Sequence, residues 1–267
     1  MRRDMPLRAA GSDVVGARNG LRDLVKAGAR QVADLFLPPL CPVCRRAVGA
    51  HELLCPQCWA KLRFIEEPFC PVLGIPFAAD LGEGILSAQA IADPPPFSRA
   101  RSAVLFDETA RSLVHQFKYY DQAAVARTLI ALTLRPAREL AREGTLVVPV
   151  PLHRSRLWQR RFNQSAVLAK GIADELGLHV VPRALIRSRR TRQQVGLSQK
   201  ERQANLRGAF KVRDAQRGVV AGHRILLVDD VYTSGATVKA ATKALLKAGA
   251  QEVDVVTFAR AGIVPLG

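Results

Sequence analysis

The chain has 267 residues, 48% of them hydrophobic and 24% charged, the proportions of a globular protein with a full α/β core and a small appendage. No apolar run approaches the roughly 18 residues that a membrane-spanning helix needs. All five cysteines lie between residues 41 and 70, which argues against a disulfide framework and for a local metal site. The formal net charge of +17 predicts attraction to polyanions: nucleic acid, pyrophosphate-bearing ligands or acidic membrane surfaces. It does not choose among them, and free use of Arg by a high-GC genome explains it as well.

Residues 1–17 are basic and mixed, and no apolar stretch follows Arg2 and Arg3, so a secretory signal is not expected. They read as a disordered tail, with a misassigned start as one explanation. Residues 19–37 read as an amphipathic helix, with Leu21, Leu24, Val25, Ala29, Val32, Leu35 and Phe36 near one stripe, ended by Pro38 and Pro39. Such a stripe can lie on a membrane surface or pack on the domain that follows, its more ordinary use.

Cys41-Pro-Val-Cys44 and Cys55-Pro-Gln-Cys58 form two C-x-x-C knuckles. Four thiolates at this spacing suit tetrahedral zinc, and a closed four-cysteine site leaves no position for water, so its role is structural. Paired reduced thiols or redox dithiols are the alternatives. His51 lies between the knuckles and is read as solvated. Cys70-Pro-Val-Leu73-Gly74 looks like a third knuckle that lost its second cysteine, which makes Cys70 a buried thiol. Residues 74–99, rich in Gly and Pro, read as a linker over the surface.

The main domain begins near Arg101. Ala103–Phe106 predicts a strand, Leu113, Val114 and Phe117 a helix running into Lys118, and 122–143 a longer helix that Pro136 kinks or breaks. Leu146–Val150 predicts a buried strand. It delivers Arg154, Arg156, Trp158, Arg160 and Arg161 at the strand's C-terminal end, where ligands of open α/β sheets bind. Guanidinium groups there suit pyrophosphate, though the same residues also make a solvated basic loop. A helix over Ser165–Leu176 stops at Gly177. Residues 187–207 are basic and polar, fit for a flap over an anionic substrate or for a nucleic-acid contact. Phe210 and Val212 suggest an edge strand, and Val253–Phe258 the last one.

Between them stands HRILLVDDVYTSGATVKA, residues 223–240. Ile225–Val228 is a continuous apolar run, as in a strand buried on both faces of a parallel sheet. Asp229 and Asp230 follow where the strand leaves the sheet. Thr233, Ser234, Gly235, Ala236 and Thr237 make a turn into a helix, whose free N–H groups and dipole favour one phosphate. The two carboxylates would repel that phosphate, but they can accept from sugar hydroxyls or hold a divalent cation. A magnesium-binding strand of a P-loop ATPase is the rival reading, and its G-x-x-x-x-G-K-[ST] loop is missing.

ILLVDDVYTSGAT resembles the phosphoribosyl pyrophosphate motif of type I phosphoribosyltransferases. The resemblance implies that Asp229 and Asp230 bind the ribose hydroxyls and that Thr233, Ser234, Gly235, Ala236 and Thr237 hold the 5′-phosphate. The knuckle pair, LVVPVPLHRSRLWQRRFNQ, RTRQQVGLSQKERQANLRGAF and the motif, in that order, resemble the ComF family of competence-associated proteins. This implies a cytoplasmic protein with a small N-terminal four-cysteine zinc-binding unit and a type I phosphoribosyltransferase-like parallel sheet flanked by helices. Tail and helix would cover 1–37, a double zinc ribbon-like unit 38–73, the linker 74–99 and the phosphoribosyltransferase-like domain 100–267.

By the same resemblance the chain binds phosphoribosyl pyrophosphate with magnesium, as an enzyme or a former enzyme. The Arg154–Arg161 loop would take the pyrophosphate, the flap around Arg192 would close, and the protein would be associated with uptake of transforming DNA. The amidotransferase activity often attached to the family is not carried over, since no cysteine nucleophile domain is seen. The family usually has a third and fourth cysteine pair. Here Cys70 stands alone and residues 90–97 have no cysteine, so one zinc rather than two is expected. The family's R-G-F-N-Q is Arg160-Arg161-Phe-Asn-Gln here, a stiffer loop. The alternative is a binding module for single-stranded DNA or competence partners that keeps the ribose-phosphate site as a sensor. Arg189, Arg190 and Arg192, and the Trp158–Phe162 region, are its candidate contacts.

Overall fold

The computed structural model describes residues 38–50, 53–119, 123–152, 162–188 and 208–262. The expectations for the N-terminal tail and helix, His51, the Arg154–Arg161 loop with Trp158, and the flap with Arg189, Arg190 and Arg192 lie outside these residues.

Two five-residue helices precede the sheet, α1 over Pro56–Ala60 and α2 over Ala88–Ala92. Then come β1 (Ala100–Leu105), α3 (Glu108–Tyr119), α4 (Ala123–Leu140), β2 (Leu146–Pro149), α5 (Gln164–Leu176) and β3 (His179–Val180). Strands β4 (Leu185–Arg187) and β5 (Phe210–Val212) and the one-turn helix α6 (Arg217–Val220) lead to β6 (Arg224–Tyr232), α7 (Ala236–Lys247) and β7 (Glu252–Arg260). The main sheet is parallel throughout, in the order β1-β7-β6-β2-β3, while β4 and β5 pair antiparallel beside it.

The apolar run of β6 is central because β6 is flanked by β2 and β7 and covered on both faces. Ile225 and Leu227 enter a core with Val238, Ala241 and Leu245 of α7. Leu226 and Val228 enter the opposite core with Leu113 and Phe117 of α3, Leu129 of α4 and Leu168 of α5. Strict alternation of side chains along a strand puts neighbours in opposite layers, so both layers need apolar residues and no polar alternation survives.

Helix α4 does not break at Pro136: it runs to Leu140 with Pro136 buried inside it. Proline there costs one backbone bond near the end of the helix, and packing of Leu129, Leu132, Ala137 and Leu140 outweighs that. Helix α5 stops where Gly177 adopts the left-handed conformation, φ 65°. Segment 74–99 runs exposed around Leu81 and Ile85, yet it carries α2 and sends Phe97, 3% exposed, into the core. There Phe97 meets Tyr232 edge-on at 6.4 Å. Strands β3 and β4 were not foreseen; with two and three residues they carry too little pattern to read.

Leu227→Ala is expected to lower stability by about 3 kcal/mol. The measurement is the urea midpoint at unchanged slope, and a loss under about 1 kcal/mol would contradict burial of β6 on both faces.

Candidate functional site

Strand β6 carries Asp229 and Asp230 at its C-terminal end, partly buried, at the edge where β2 also ends. The Val150 N–H donates to the Val228 carbonyl at 2.9 Å, so the chain leaving β2 toward residues 153–161 starts beside the aspartates. Two groups from neighbouring helices reach the carboxylates. Ser165, in the first turn of α5, donates to Asp229 Oδ1 at 2.8 Å. Lys118, in the last turn of α3, pairs with Asp230 Oδ2 at 2.6 Å. Each carboxylate also accepts from the next backbone N–H, Asp229 from Asp230 at 3.0 Å and Asp230 from Val231 at 2.8 Å.

Burial, and next the negative charge of Asp230, push the Asp229 carboxyl up to about 7, against the Ser165 hydroxyl, the Asp230 N–H and Lys118. Near neutral pH the Asp229 carboxyl is therefore about half protonated, so it can donate as well as accept hydrogen bonds.

Past the aspartates the chain turns at Thr233–Gly235 and enters α7 at Ala236. Gly235 is the N-cap, at φ 74°, and a Cβ there would lie 2.2 Å from the Tyr232 hydroxyl. Glycine is thus required twice, by conformation and by space. Gly235 offers no side-chain cap, and a helix start of this kind suits an anion. The Ser234 hydroxyl is buried without a partner among the described residues. Thr233 is exposed, Thr237 half-buried and Ala236 buried. The structure thus gathers Asp229, Asp230 and residues 233–237 on one strand-turn-helix. Ser165 and Lys118 were missed by sequence reading. They lie 64 and 112 residues before their partners, and only the packing of α3 and α5 on the sheet brings them there.

The second centre is the four-cysteine cluster. Cys41 opens a tight turn in which its N–H donates to the Arg46 carbonyl at 2.7 Å and its carbonyl accepts from Arg45 at 2.9 Å. Arg45 takes a left-handed φ of 65°. Cys55 is the N-cap of α1, with Pro56 in its first turn, and Cys58 lies inside that helix. The sulfurs of Cys41, Cys44, Cys55 and Cys58 all lie within 4.8 Å of one another. A tetrahedron with zinc–sulfur bonds of about 2.3 Å has edges of about 3.8 Å, inside that limit. Burial pushes the Cys41 thiol up, but the backbone N–H groups of Cys44, Cys55 and Val43 outweigh it and hold it at about 7. The Cys58 N–H lowers Cys55, whereas burial raises Cys58.

Residues 32–90 match the double zinc ribbon domain and residues 163–263 the phosphoribosyl transferase domain. The DNA utilization protein YhgH of Salmonella typhimurium is 32% identical over 221 residues, covering 81% of this chain and 88% of the relative. Competence protein F of Haemophilus influenzae is 34% identical over 154 residues, 56% of this chain and 67% of that protein. This chain belongs to the ComF family.

The solved glutamine phosphoribosylpyrophosphate amidotransferase of B. subtilis is 27% identical at a TM-score of 0.37, over 53% of this chain and 30% of that one. In this ComF-family chain the four-cysteine cluster is the zinc-binding site of the ribbon, and the parallel sheet with its flanking helices is the phosphoribosyltransferase-type fold. Among the described residues no helix is long and apolar enough to cross a membrane.

The folded chain holds the Asp229 proton more tightly than an ordinary carboxyl at 3.8, so stability is greatest with that proton on and falls as pH rises from about 4 through about 7. Asp229→Asn is expected to remove this fall, a gain of roughly 2 kcal/mol over wild type at about pH 8 relative to about pH 5. Denaturant titration at the two pH values measures it; parallel profiles would contradict the raised Asp229 carboxyl. Cys55→Ser is expected to lose the bound zinc while the parallel sheet keeps its circular dichroism, read by metal analysis of the purified protein.

Proposed function

We propose that this chain binds phosphoribosyl pyrophosphate, and that transfer of its phosphoribosyl group is the reaction the fold serves. The observation that carries the reading is the joining of a paired carboxylate to an uncapped helix start on one strand-turn-helix. Asp229 and Asp230 take the ribose 2′- and 3′-hydroxyls. The N–H groups of the 233–237 turn, with the Thr233, Ser234 and Thr237 hydroxyls, take the 5′-phosphate. Lys118 and Ser165 fix the two carboxylates and keep them off the phosphate. Arg154, Arg156, Arg160 and Arg161 follow the strand that ends beside the aspartates, and they bind the pyrophosphate. Arg192 belongs to the flap that excludes water.

Chemistry at such a site is displacement at the anomeric carbon. The acceptor forms its bond to that carbon, pyrophosphate leaves with the electron pair of the old carbon–oxygen bond, and the arginines hold the departing charge. Magnesium, brought with the pyrophosphate, adds neutralisation of the leaving charge. The names of the relatives connect the protein with competence and DNA utilization. A phosphoribosyltransferase-like domain over 100–267 and a cytoplasmic site of action go with this reading.

Calorimetry with phosphoribosyl pyrophosphate and magnesium tests it. Wild type is expected to bind, and Asp230→Asn to bind at least tenfold more weakly, because a carboxylate–hydroxyl bond is lost and Lys118 is left unpaired. Full binding by the variant would overturn the assignment.

A second reading, single-stranded DNA binding, is favoured by one feature. A groove of about 1150 Å³ runs along α7, with Lys239, Lys243 and Lys247 on one wall and Lys211, Arg213 and Arg217 on the other, opposed by Asp93 and Asp214. Its one aromatic, Phe210, is buried, so base stacking is not supplied there. If DNA tracks this groove, neutralising Lys243 and Lys247 should reduce the salt slope of oligothymidylate binding by roughly 0.7 per lysine. An unchanged slope would place DNA elsewhere, with Arg189, Arg190 and Arg192 the next residues to neutralise.

A further inference from the structure

The double zinc ribbon domain implies two metal sites, and the second half of this ribbon does not fit one. Residues 68–77 repeat the knuckle of 39–48 bond for bond. The Leu40–Ala47 bridge has its counterpart in Phe69–Pro76. Cys41 N–H to Arg46 O, 2.7 Å, is matched by Cys70 N–H to Ile75 O, 2.8 Å. Arg45 N–H to Cys41 O, 2.9 Å, is matched by Gly74 N–H to Cys70 O, 2.7 Å, and Val48 N–H to Pro39 O by Phe77 N–H to Pro68 O, both 2.9 Å. The left-handed residues correspond too, Arg45 at φ 65° and Gly74 at φ 62°. Downstream, Cys55 at φ −66°, ψ 156° caps the five-residue α1, and Ser87 at φ −66°, ψ 150° caps the five-residue α2.

This correspondence places the four ligand positions of the second ribbon at Cys70, Leu73, Ser87 and Ala90. They are 0%, 1%, 8% and 4% exposed, so each is filled and closed to water. The missing fourth pair therefore maps to 87 and 90, just before the stretch 90–97 and at its start. What remains of metal chemistry is one thiol, which accepts from the backbone N–H groups of Ser87 at 3.3 Å and Leu73 at 3.5 Å. Apolar contacts do the rest: Cys70, Leu73 and Ala90 share the core that holds Phe97, Ala100 and Tyr232.

We infer that the second ribbon has exchanged its zinc for attachment to the parallel sheet, and that it folds without metal. The carbonyls of residues 71–73 in its knuckle are taken by residues at the ends of the sheet strands. Pro71 O accepts from Arg101 at 2.8 Å, Val72 O from the Ala100 N–H at 2.8 Å, and Leu73 O from Arg260 at 2.7 Å. Arg101 also covers the Phe69 ring at 4.4 Å, and Arg260 covers the Tyr232 ring at 4.1 Å. Gly74 lies so close to β1 that a Cβ would stand 2.4 Å from the Ala100 carbonyl.

Metal analysis of the purified full chain tests the exchange. Wild type is expected to hold one tightly bound zinc per chain, and Cys70→Ala to hold the same. The triple variant Leu73→Cys, Ser87→Cys, Ala90→Cys restores all four ligand positions and is expected to hold two, with a doubled cobalt–thiolate absorbance on cobalt substitution. A triple with Ile91→Cys in place of Ala90→Cys is expected to stay at one. Two zinc ions in wild type, or loss of zinc in Cys70→Ala, would overturn the inference even if the triple variant fails to fold. A folded triple that stays at one zinc would overturn the placement of the ligands.

Discussion

Two like charges on adjacent residues at the end of a buried strand are the constraint around which this molecule is arranged. Left alone, Asp229 and Asp230 would repel each other in a place that water reaches poorly. The chain answers with a cation from α3 and a hydroxyl from α5. Both helices pack on the same face of the sheet, in the core that takes Leu226 and Val228 of β6. Burial of that face therefore sets the electrostatics of the strand's end, and a shift of α3 or α5 would be felt first at the carboxylates.

The opposite face has a different task. It seats α7, whose N-cap is Gly235, and it seats the second ribbon. Tyr232 joins the two. Its ring lies under the Arg260 guanidinium and against Phe97, and its hydroxyl fills the space that Gly235 leaves. The ribbon is thus continuous with the wall behind the turn rather than an ornament on the domain. The first ribbon meets the sheet differently: residues 63–65 pair along the free edge of β1, with Ile65 N–H to Ala103 O at 3.0 Å and Leu105 N–H to Arg63 O at 2.8 Å. That covers an edge strand that would otherwise invite pairing.

How much of this was legible in the sequence follows from the range of each signal. The β6 run, the Gly177 stop and the C-x-x-C knuckles are local, and the structure has all of them as read. The turn was legible because small and hydroxylated residues at a strand-to-helix junction have few other uses, although it ends at Gly235 and Ala236 and Thr237 already belong to α7. Lys118 and Ser165 carried no local mark, since a lysine ending a helix and a serine opening one are ordinary. The second ribbon was legible only in its knuckle, Cys70–Gly74, because Ser87 and Ala90 have the composition of any short helix and its cap. Pro136 does not break its helix, because the packing of Leu132, Ala137 and Leu140 outweighs what propensity alone would favour.

The most direct test of the account is a crystal structure of the chain with ribose 5-phosphate. The account predicts the phosphate at the start of α7, on the N–H groups of residues 235–237, with the 2′- and 3′-hydroxyls on Asp229 and Asp230. Phosphate bound instead among Lys239, Lys243 and Lys247, with the aspartates still paired only to Lys118 and Ser165, would contradict it.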